Sequence, residues 1–189
     1  QLDDQAREFI GYAVDGAQRM RSLIDDLLDY SKVGSEKIGI STFDIGDTIE
    51  SSLRALHTLI TENDADISWE EMPMVRGSSA LMAQVFQNLI GNAIKFRTAE
   101  HPRIRISAER DGAMWKIGVA DNGIGIQPEY ADRVFRIFQR LHSRGEYAGN
   151  GLGLALCQRV VSRHGGEIWI ETSRMRGATI NFTLPALAD

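Results

Sequence analysis

Two asparagines and a lysine in the middle of the chain have a spacing that suits a bound cation and phosphate. Asn88, Asn92 and Lys95 are four and three residues apart, so on a helix all three project from one face. Asn is a poor residue for a helix interior, and one such Asn would indicate only a solvated surface. An Asn carbonyl is a hard oxygen ligand suited to Mg²⁺, and a Lys ammonium attracts phosphate. The group therefore predicts a site for both.

A second segment, 121–126, places a carboxylate directly before a glycine turn. Asp121 precedes Gly123 and Gly125, with Ile124 and Ile126 as apolar neighbours. The segment could be an ordinary Asn-Gly turn. Alternatively, glycine allows close approach of a flat ligand, and a carboxylate beside an apolar wall can accept the exocyclic amine proton of adenine. We predict the second arrangement, because polar groups that fix orientation in an apolar pocket are typical of cofactor sites.

A third segment supplies glycines immediately before a helix. Gly149, Gly151 and Gly153 precede a helical pattern, where free backbone amides and the helix dipole favour phosphate. The segment matches neither the dinucleotide fingerprint nor the Gly-Lys-Ser/Thr phosphate loop. Between the second and third segments, 135–140 carries two aromatic residues and two arginines. We predict that 122–150 forms a mobile lid over the nucleotide.

These segments lie among short alternating strands and amphipathic helices. The predicted elements are strands over 38–43, 65–70, 72–76, 103–110, 114–120, 167–172 and 179–184, and helices over 44–60, 78–93 and 152–164. Asp44 and Ser78 are predicted helix caps, and an Asp111-Gly112 loop joins the central hairpin. Hairpins with helices on one face predict an α+β fold, a two-layer α/β sandwich with a mixed sheet.

Residues 1–33 differ from the rest of the chain. They contain no proline, and apolar or small residues recur at alternating spacings of four and three, at Ala6, Ile10, Ala13, Ala17, Met20, Ile24, Leu27 and Ser31. An ordinary amphipathic helix on a globular core is the alternative. Because the stripe spans about 45 Å of helix, we predict a dimerisation helix that forms a homodimer. Residues 34–38 form the predicted linker and 39–189 the second domain.

Composition excludes some functions and indicates others. The 21 basic and 26 acidic side chains give a net charge of -5, which argues against a nucleic-acid partner. The single cysteine, Cys157, cannot form an internal disulfide, and neither a leader nor a long apolar run is present. We therefore expect a cytoplasmic location, with any membrane anchor outside these residues.

In their order and residue types, the three segments, together with 135–140 between the second and third, resemble the N, G1, F and G2 boxes of sensor histidine kinases of two-component systems, in the GHKL group of ATPases. Segment 39–185 resembles the catalytic ATP-binding domain and ends in 176–179, which is similar to a last glycine box. Residues 1–33 resemble the second helix of the dimerisation and phosphotransfer hairpin. Segments 138–142 and 163–166 are especially similar to kinases of the phytochrome-associated type.

The resemblance implies the cofactors ATP and Mg²⁺ and a role for each site residue. Asn92 would bind Mg²⁺, Lys95 the phosphates, Asp121 the adenine amine and Arg140 the γ-phosphate, while Asn88 occupies the position of a catalytic Glu in many relatives. The implied catalytic residues are Asn88, Lys95 and Arg140, and the implied cofactor-binding residues are Asn92, Asp121, Gly123, Gly125, Ile126, Phe138, Gly149, Gly151, Leu152, Gly153 and Thr179. A response regulator, an upstream sensor domain and the first hairpin helix are the expected partners outside this chain.

One departure from the family pattern concerns the phosphate acceptor. The family carries an acceptor His on the first hairpin helix, whereas His57, His101, His142 and His164 all lie outside the N-terminal helix. We therefore expect an ATP-dependent kinase core whose acceptor His lies elsewhere. Two alternatives are an ATP-binding pseudokinase that serves assembly, and an anti-sigma-type Ser/Thr kinase, which the long N-terminal helix disfavours.

Overall fold

The computed structural model describes residues 4–35, 39–139, 141, 150–171 and 177–187. Its elements in chain order are α1 (Asp4–Ser35), β1 (Ser41–Asp44), α2 (Ile45–Ala55), α3 (His57–Glu62), β2 (Asp66–Trp69), β3 (Met74–Gly77), α4 (Ser79–Lys95), β4 (Arg103–Asp111), β5 (Met114–Asp121), two 3₁₀ turns (Pro128–Tyr130 and Arg133–Phe135), α5 (Gly153–Arg163), β6 (Ile168–Glu171) and β7 (Thr179–Pro185).

A five-stranded mixed sheet forms one layer of the fold. Its strand order is β2-β4-β5-β7-β6, with β2 parallel to β4 and the other pairs antiparallel. Burial alternates along β4, where Ile104 and Ile106 are buried between exposed neighbours, as expected for a sheet covered on one face. β1 and β3 form a separate two-stranded sheet. The α+β, two-layer prediction is confirmed.

Helices α2, α4 and α5 form the second layer. Between the two layers, the rings of Phe86 in α4 and Phe182 in β7 are fully buried and meet edge-to-face with centroids 5.9 Å apart. The Ser78 hydroxyl caps α4 by accepting a hydrogen bond from the Leu81 N–H at 3.4 Å. The Ser78 N–H in turn donates to Nε2 of His164, the residue that ends α5, at 3.0 Å. This contact fixes the start of α4 against the end of α5.

Two predicted boundaries are wrong in detail. The helix expected over 44–60 is interrupted at Leu56, which separates α2 from α3. In the central hairpin Asp111 pairs with Met114, so the two-residue loop is Gly112-Ala113 and not Asp111-Gly112. Gly112 has φ +57 at the first loop position, where a residue without a Cβ is needed.

Helix α1 is continuous over 32 residues and ends two residues beyond the predicted Val33. Its predicted apolar stripe is exposed: Ile10 is 49%, Met20 61%, Ile24 57% and Leu27 47% accessible. The opposite face near its C-terminus packs on α5, where Val33 is buried and the Tyr30 ring lies 4.5 Å from the guanidinium carbon of Arg159. None of the helices described is long and apolar enough to cross a membrane.

Candidate functional site

The predicted segments meet around one cavity of about 270 Å³ between α4, the turn after β5 and the start of α5. Its described lining residues are Asp26, Asn88, Leu89, Asn92, Ala93, Lys95, Phe96, Val119, Asp121, Ile124, Gly125, Ile126, Val134, Gln139, Leu141, Asn150, Gly151, Leu152, Gly153, Leu154, Ala178 and Ile180. Most of this wall is apolar, and its polar groups come from four separate parts of the chain. That combination is typical of a cofactor pocket.

Asn88 is oriented by its own helix. Its Nδ2 donates to the Gln84 carbonyl one turn earlier at 2.9 Å, so the amide nitrogen is occupied. Its Oδ1 faces the start of α5, where a Cβ on Gly153 would lie only 2.5 Å away. Glycine at position 153 therefore allows the asparagine oxygen and the helix terminus to share one end of the cavity.

The start of α5 presents backbone rather than side chains. Leu152 precedes the helix without a side-chain cap, and the first-turn amides of an α-helix have no partner within the helix. Gly151 adopts φ +73, and its carbonyl accepts a hydrogen bond from the Phe138 N–H at 3.0 Å. Free amides at this helix end favour an anionic ligand, as the sequence predicted.

Asp121 occupies the other end of the cavity. Its Oδ1 accepts hydrogen bonds from the Gly123 N–H at 2.8 Å and the Ala178 N–H at 3.3 Å. Within the described part of the chain, Oδ2 has no such partner and is available to a ligand. Burial raises the pKa of the Asp121 carboxyl above its usual value, and the two backbone hydrogen bonds partly oppose that shift.

Glycines let two backbone segments approach each other behind Asp121. Gly177 has φ +92, and a Cβ there would lie 1.9 Å from the Asp121 carbonyl oxygen. Gly125 has φ +78 and would place a Cβ 3.0 Å from the Gly177 carbonyl oxygen. The turn after β5 thus fits directly against the residues that enter β7, and this close fit supports the backbone donors to Asp121.

The C-terminal end of α4 supports the same turn. The Ile124 N–H donates to the Phe96 carbonyl at 3.0 Å, and the Lys95 Nζ lies 4.4 Å from the Phe96 ring centroid. From Asn88 to Phe96 the helix rises about 12 Å. The cavity therefore has two chemically different ends, a carboxylate end at Asp121 and an amide-rich end at Gly151–Gly153.

Most predicted site residues line this cavity. Those that do are Asn88, Asn92, Lys95, Asp121, Gly125, Ile126, Gly151, Leu152 and Gly153. Gly123 supports Asp121 from behind, Phe138 contributes its N–H while its side chain is exposed, and Thr179 pairs with Ala120 in the sheet. Successive strand residues alternate in direction, so Ala178 and Ile180 line the cavity in place of Thr179. Arg140 and Gly149 lie outside the described residues, as do residues 142–148 of the predicted lid.

Of the charged lining residues described, one was not predicted from the sequence. Asp26 of α1 reaches the cavity, and its Oδ2 accepts a hydrogen bond from the Asn150 Nδ2 at 2.9 Å. From its apolar stripe, the sequence predicted only a dimerisation role for α1. A single Asp among other acidic residues on a helix gave no signal for this contact.

The donor set fits Mg²⁺ only if phosphate supplies further ligands. The described residues hold no group of three or more His, Cys, Asp or Glu side chains able to bind a metal by themselves. Mg²⁺ is usually bound by one or two protein oxygens together with substrate phosphates and water. The Asn92 amide, in the wall of the same cavity, fits that arrangement.

Comparisons with known proteins show what the chain is similar to. Cyanobacterial phytochrome A of Nostoc sp. is 47% identical over 98% of this chain and 24% of its own length. Full-length ShkA in complex with AMPPNP superposes with a TM-score of 0.76, at 23% identity, over 100% of this chain and 41% of ShkA. ThkA in complex with the response regulator TrrA gives 0.74 at 22% identity, over 99% of this chain and 53% of that one.

The chain thus spans about a quarter of the phytochrome relative, and the two superpositions establish the fold. A sequence profile of the histidine kinase-, DNA gyrase B- and HSP90-like ATPases matches residues 77–188, which include α4, the central hairpin, α5 and the closing strands. The predicted resemblance to sensor histidine kinases is confirmed, and the chain belongs to this ATPase family.

Proposed function

We propose that the chain is the ATP- and Mg²⁺-binding core of a sensor histidine kinase, which transfers the γ-phosphoryl group of ATP to a histidine outside these residues. The observation that carries the proposal is the Asp121 carboxylate, which has one oxygen fixed by two backbone amides and the other available to the cavity. The AMPPNP bound by ShkA, a protein of the same fold, supports the choice of nucleotide.

Each end of the cavity has a separate task. At the carboxylate end, Asp121 accepts a hydrogen bond from the adenine amine, and apolar neighbours such as Ile126 and Val119 enclose the ring. At the amide end, the Gly151–Gly153 backbone binds phosphates. On the α4 wall, Asn92 supplies an oxygen to Mg²⁺ and the Lys95 ammonium attracts the phosphates. When bound there, Mg²⁺ would neutralise charge on the phosphates. In this scheme Arg140 contacts the γ-phosphate.

Asn88 favours transfer to a side chain over hydrolysis. An amide cannot take a proton from water as a Glu carboxylate can, and the Asn88 nitrogen is already bonded to the Gln84 carbonyl. In-line phosphoryl transfer depends chiefly on positioning and charge neutralisation. An amide at position 88, in place of a carboxylate that could activate water, therefore suits a kinase that should lose little ATP to hydrolysis.

The acceptor is a histidine on another segment. His57 and His101 are exposed and lie outside α1, the helix with the apolar stripe. The His164 ring is hydrogen-bonded to Val160 and Ser78. None of the four histidines of the chain falls within α1. The first hairpin helix of the full protein supplies the acceptor, and a response regulator receives the phosphoryl group from it, as the ThkA–TrrA pair suggests.

The direct test is transfer of labelled phosphate from ATP to a separately supplied hairpin that carries a histidine on its first helix. Labelling of that histidine, lost when it is replaced by Gln, is the expected result. If the chain bound ATP but transferred no phosphate to hairpins from several phytochrome-type kinases, it would instead be a nucleotide-binding assembly module.

Replacing Asn92 with Ala should reduce phosphoryl transfer about 100-fold, in the range found when one preorganised electrostatic contact to the transition state is removed. Adenosine affinity should stay at the wild-type value, because Asn92 contacts the phosphate side and not the base. Single-turnover transfer and adenosine titration measure the two effects separately. Gln87→Ala, on the same helix but outside the cavity wall, is the matched control; equal effects of both variants would refute the metal role.

We also propose that α1 pairs with a second copy of the chain through its exposed apolar stripe. Replacing Met20 and Ile24 with Glu should raise the dimer dissociation constant about 100-fold, because a buried unpaired carboxylate is costly. Sedimentation equilibrium measures the change. Gln18→Glu adds one carboxylate at an exposed position of α1 off the stripe and should leave association unaltered. Full dimerisation of the double variant would contradict the assignment.

A further inference from the structure

Helix α1 contacts the phosphate end of the cavity through a small polar cluster. The Asn150 Nδ2 donates to the Ser22 Oγ at 3.0 Å and to the Asp26 Oδ2 at 2.9 Å. Asn150 directly precedes Gly151, the first of the two glycines that open α5. The N-terminal helix is therefore bonded to the backbone segment that is proposed to bind phosphate.

The same face of α1 continues this contact toward its C-terminus. Tyr30 packs on Arg159 of α5, and the Arg163 guanidinium donates to the Val33 carbonyl. At 3.6 residues per turn, Ser22, Asp26, Tyr30 and Val33 share one face, roughly opposite the exposed stripe through Ile24 and Leu27. Thus α1 can contact α5 with one face while the other remains available to a partner.

Asp26 places a negative charge at the phosphate end of the cavity. The charged side chains among the described cavity walls are Asp26, Lys95 and Asp121. Asp121 belongs to the adenine end, about 12 Å along α4 from Asn88, whereas Asp26 is bonded beside Gly151 at the phosphate end. The carboxylate therefore occupies the part of the cavity that must accommodate the greatest negative charge of a nucleotide.

We propose that Asp26 discriminates against nucleoside triphosphate while α1 is docked, so that triphosphate binding and α1 docking oppose each other. This inference rests on the proposed nucleotide function. The terminal phosphate and the Asp26 carboxylate compete for Asn150 and the adjacent amides. Both groups are negatively charged, so they repel each other when both lie at this end of the cavity. Triphosphate binding then displaces Asp26 from Asn150 and loosens α1, whereas a diphosphate leaves the contact in place. By linkage, undocking of α1 raises triphosphate affinity to the same extent.

The first test is calorimetric titration of the full chain with AMPPNP and with ADP, in the presence of Mg²⁺. Asp26→Asn removes the charge but keeps an oxygen that can accept from Asn150, so it should raise AMPPNP affinity about three- to tenfold and leave ADP affinity nearly unchanged. Asp29→Asn is the matched control: it makes the same charge change on α1, but Asp29 pairs with Lys32. It should alter neither affinity.

The second test measures docking directly. Spin labels at cysteines substituted for the exposed Gln18 and Gln158 report the separation of α1 from α5. The native Cys157 should not be labelled, because it is fully buried and burial raises the pKa of its thiol to about 12. AMPPNP should lengthen the label separation in the wild type and ADP should not. In Asp26→Asn, which keeps the acceptor for Asn150 but lacks the charge, AMPPNP should lengthen the separation less than in the wild type.

Several results would overturn the proposal. An unchanged label separation with AMPPNP would do so, as would an Asp26→Asn variant whose AMPPNP affinity equals that of the wild type. A loss of AMPPNP affinity in that variant only when Mg²⁺ is present would make Asp26 a partner of the metal instead. In each of these cases ADP still binds, so the proposed nucleotide function survives. Failure of the wild type to bind any adenine nucleotide would remove both proposals.

Discussion

Replacing Asp121 with Asn should lower the affinity for ADP about 100-fold or more while the protein stays folded, because a buried polar mismatch rejects a ligand strongly. The two backbone donors from Gly123 and Ala178 converge on Oδ1. An Asn side chain would keep its oxygen at these donors, so its NH₂ group would replace Oδ2 and point a donor at the adenine amine. The fold should not suffer, since an amide avoids the cost of burying a charge.

Calorimetric titration with ADP, combined with urea unfolding, separates binding from stability. Asp111→Asn, an exposed carboxylate at the far end of β4, should leave both unchanged. Wild-type ADP affinity in the Asp121→Asn variant, at unaltered stability, would mean that this carboxylate does not recognise the base.

The pH dependence of the wild type and of the Asp121→Asn variant supplies a second readout. Because burial raises the pKa of Asp121 above its usual value of 3.8, acidification protonates the ligand-facing carboxylate at a higher pH than an exposed Asp, and ADP affinity should fall. Stability follows the opposite sign. A raised folded-state pKa means that the native protein binds the proton more tightly, so this contribution is full below pH 3.8 and is lost as pH rises through the folded value. The Asn variant should lack both dependences.

Periodicity and caps predicted most of the fold, because each of those signals is local. Ser78 and the apolar positions of α4 identified that helix closely, and the alternation along 103–110 identified the strand. The break at Leu56 left no trace, since Ile49, Leu53, Leu56 and Ile60 keep helical spacing across it. The strand order, with β7 between β5 and β6, depends on long-range pairing that spacing alone does not determine.

The candidate site was predictable where residue type carried the chemistry. Asn88, Asn92 and Asp121 were unusual for their local settings, and the structure places all three around one cavity. Asp26 was not predictable, because an Asp on the polar side of a helix is ordinary until that side is known to face α5 and Asn150. The role of Gly177 was equally hidden: its need for glycine comes from the Asp121 backbone, 56 residues earlier in the chain.

Gly177→Ala tests that backbone contact and should be the most damaging single substitution at the site. Gly112 has φ +57 and Gly177 has φ +92, so an alanine carries about 1 kcal/mol of conformational cost at Gly112 and at least that at Gly177. A Cβ at Gly112 meets open space, whereas one at Gly177 would lie 1.9 Å from the Asp121 carbonyl oxygen. We therefore expect Gly112→Ala to lower the free energy of unfolding by about 1 kcal/mol and Gly177→Ala by about 3 kcal/mol or more.

Nucleotide binding should separate the two variants further. The Cβ at position 177 must push the start of β7 away from the turn after β5, and that movement lengthens the Ala178 N–H contact to Asp121 Oδ1 and the Asp121 N–H contact to the Ala178 carbonyl. ADP affinity should therefore fall in Gly177→Ala, even where the protein is still folded, and remain at the wild-type value in Gly112→Ala. Urea unfolding and ADP titration of both proteins provide the comparison. Gly112→Ala is the control because a positive φ also costs free energy there, without a close backbone contact. If the two substitutions had equal effects, the close approach behind Asp121 would not hold the adenine end of the cavity in place.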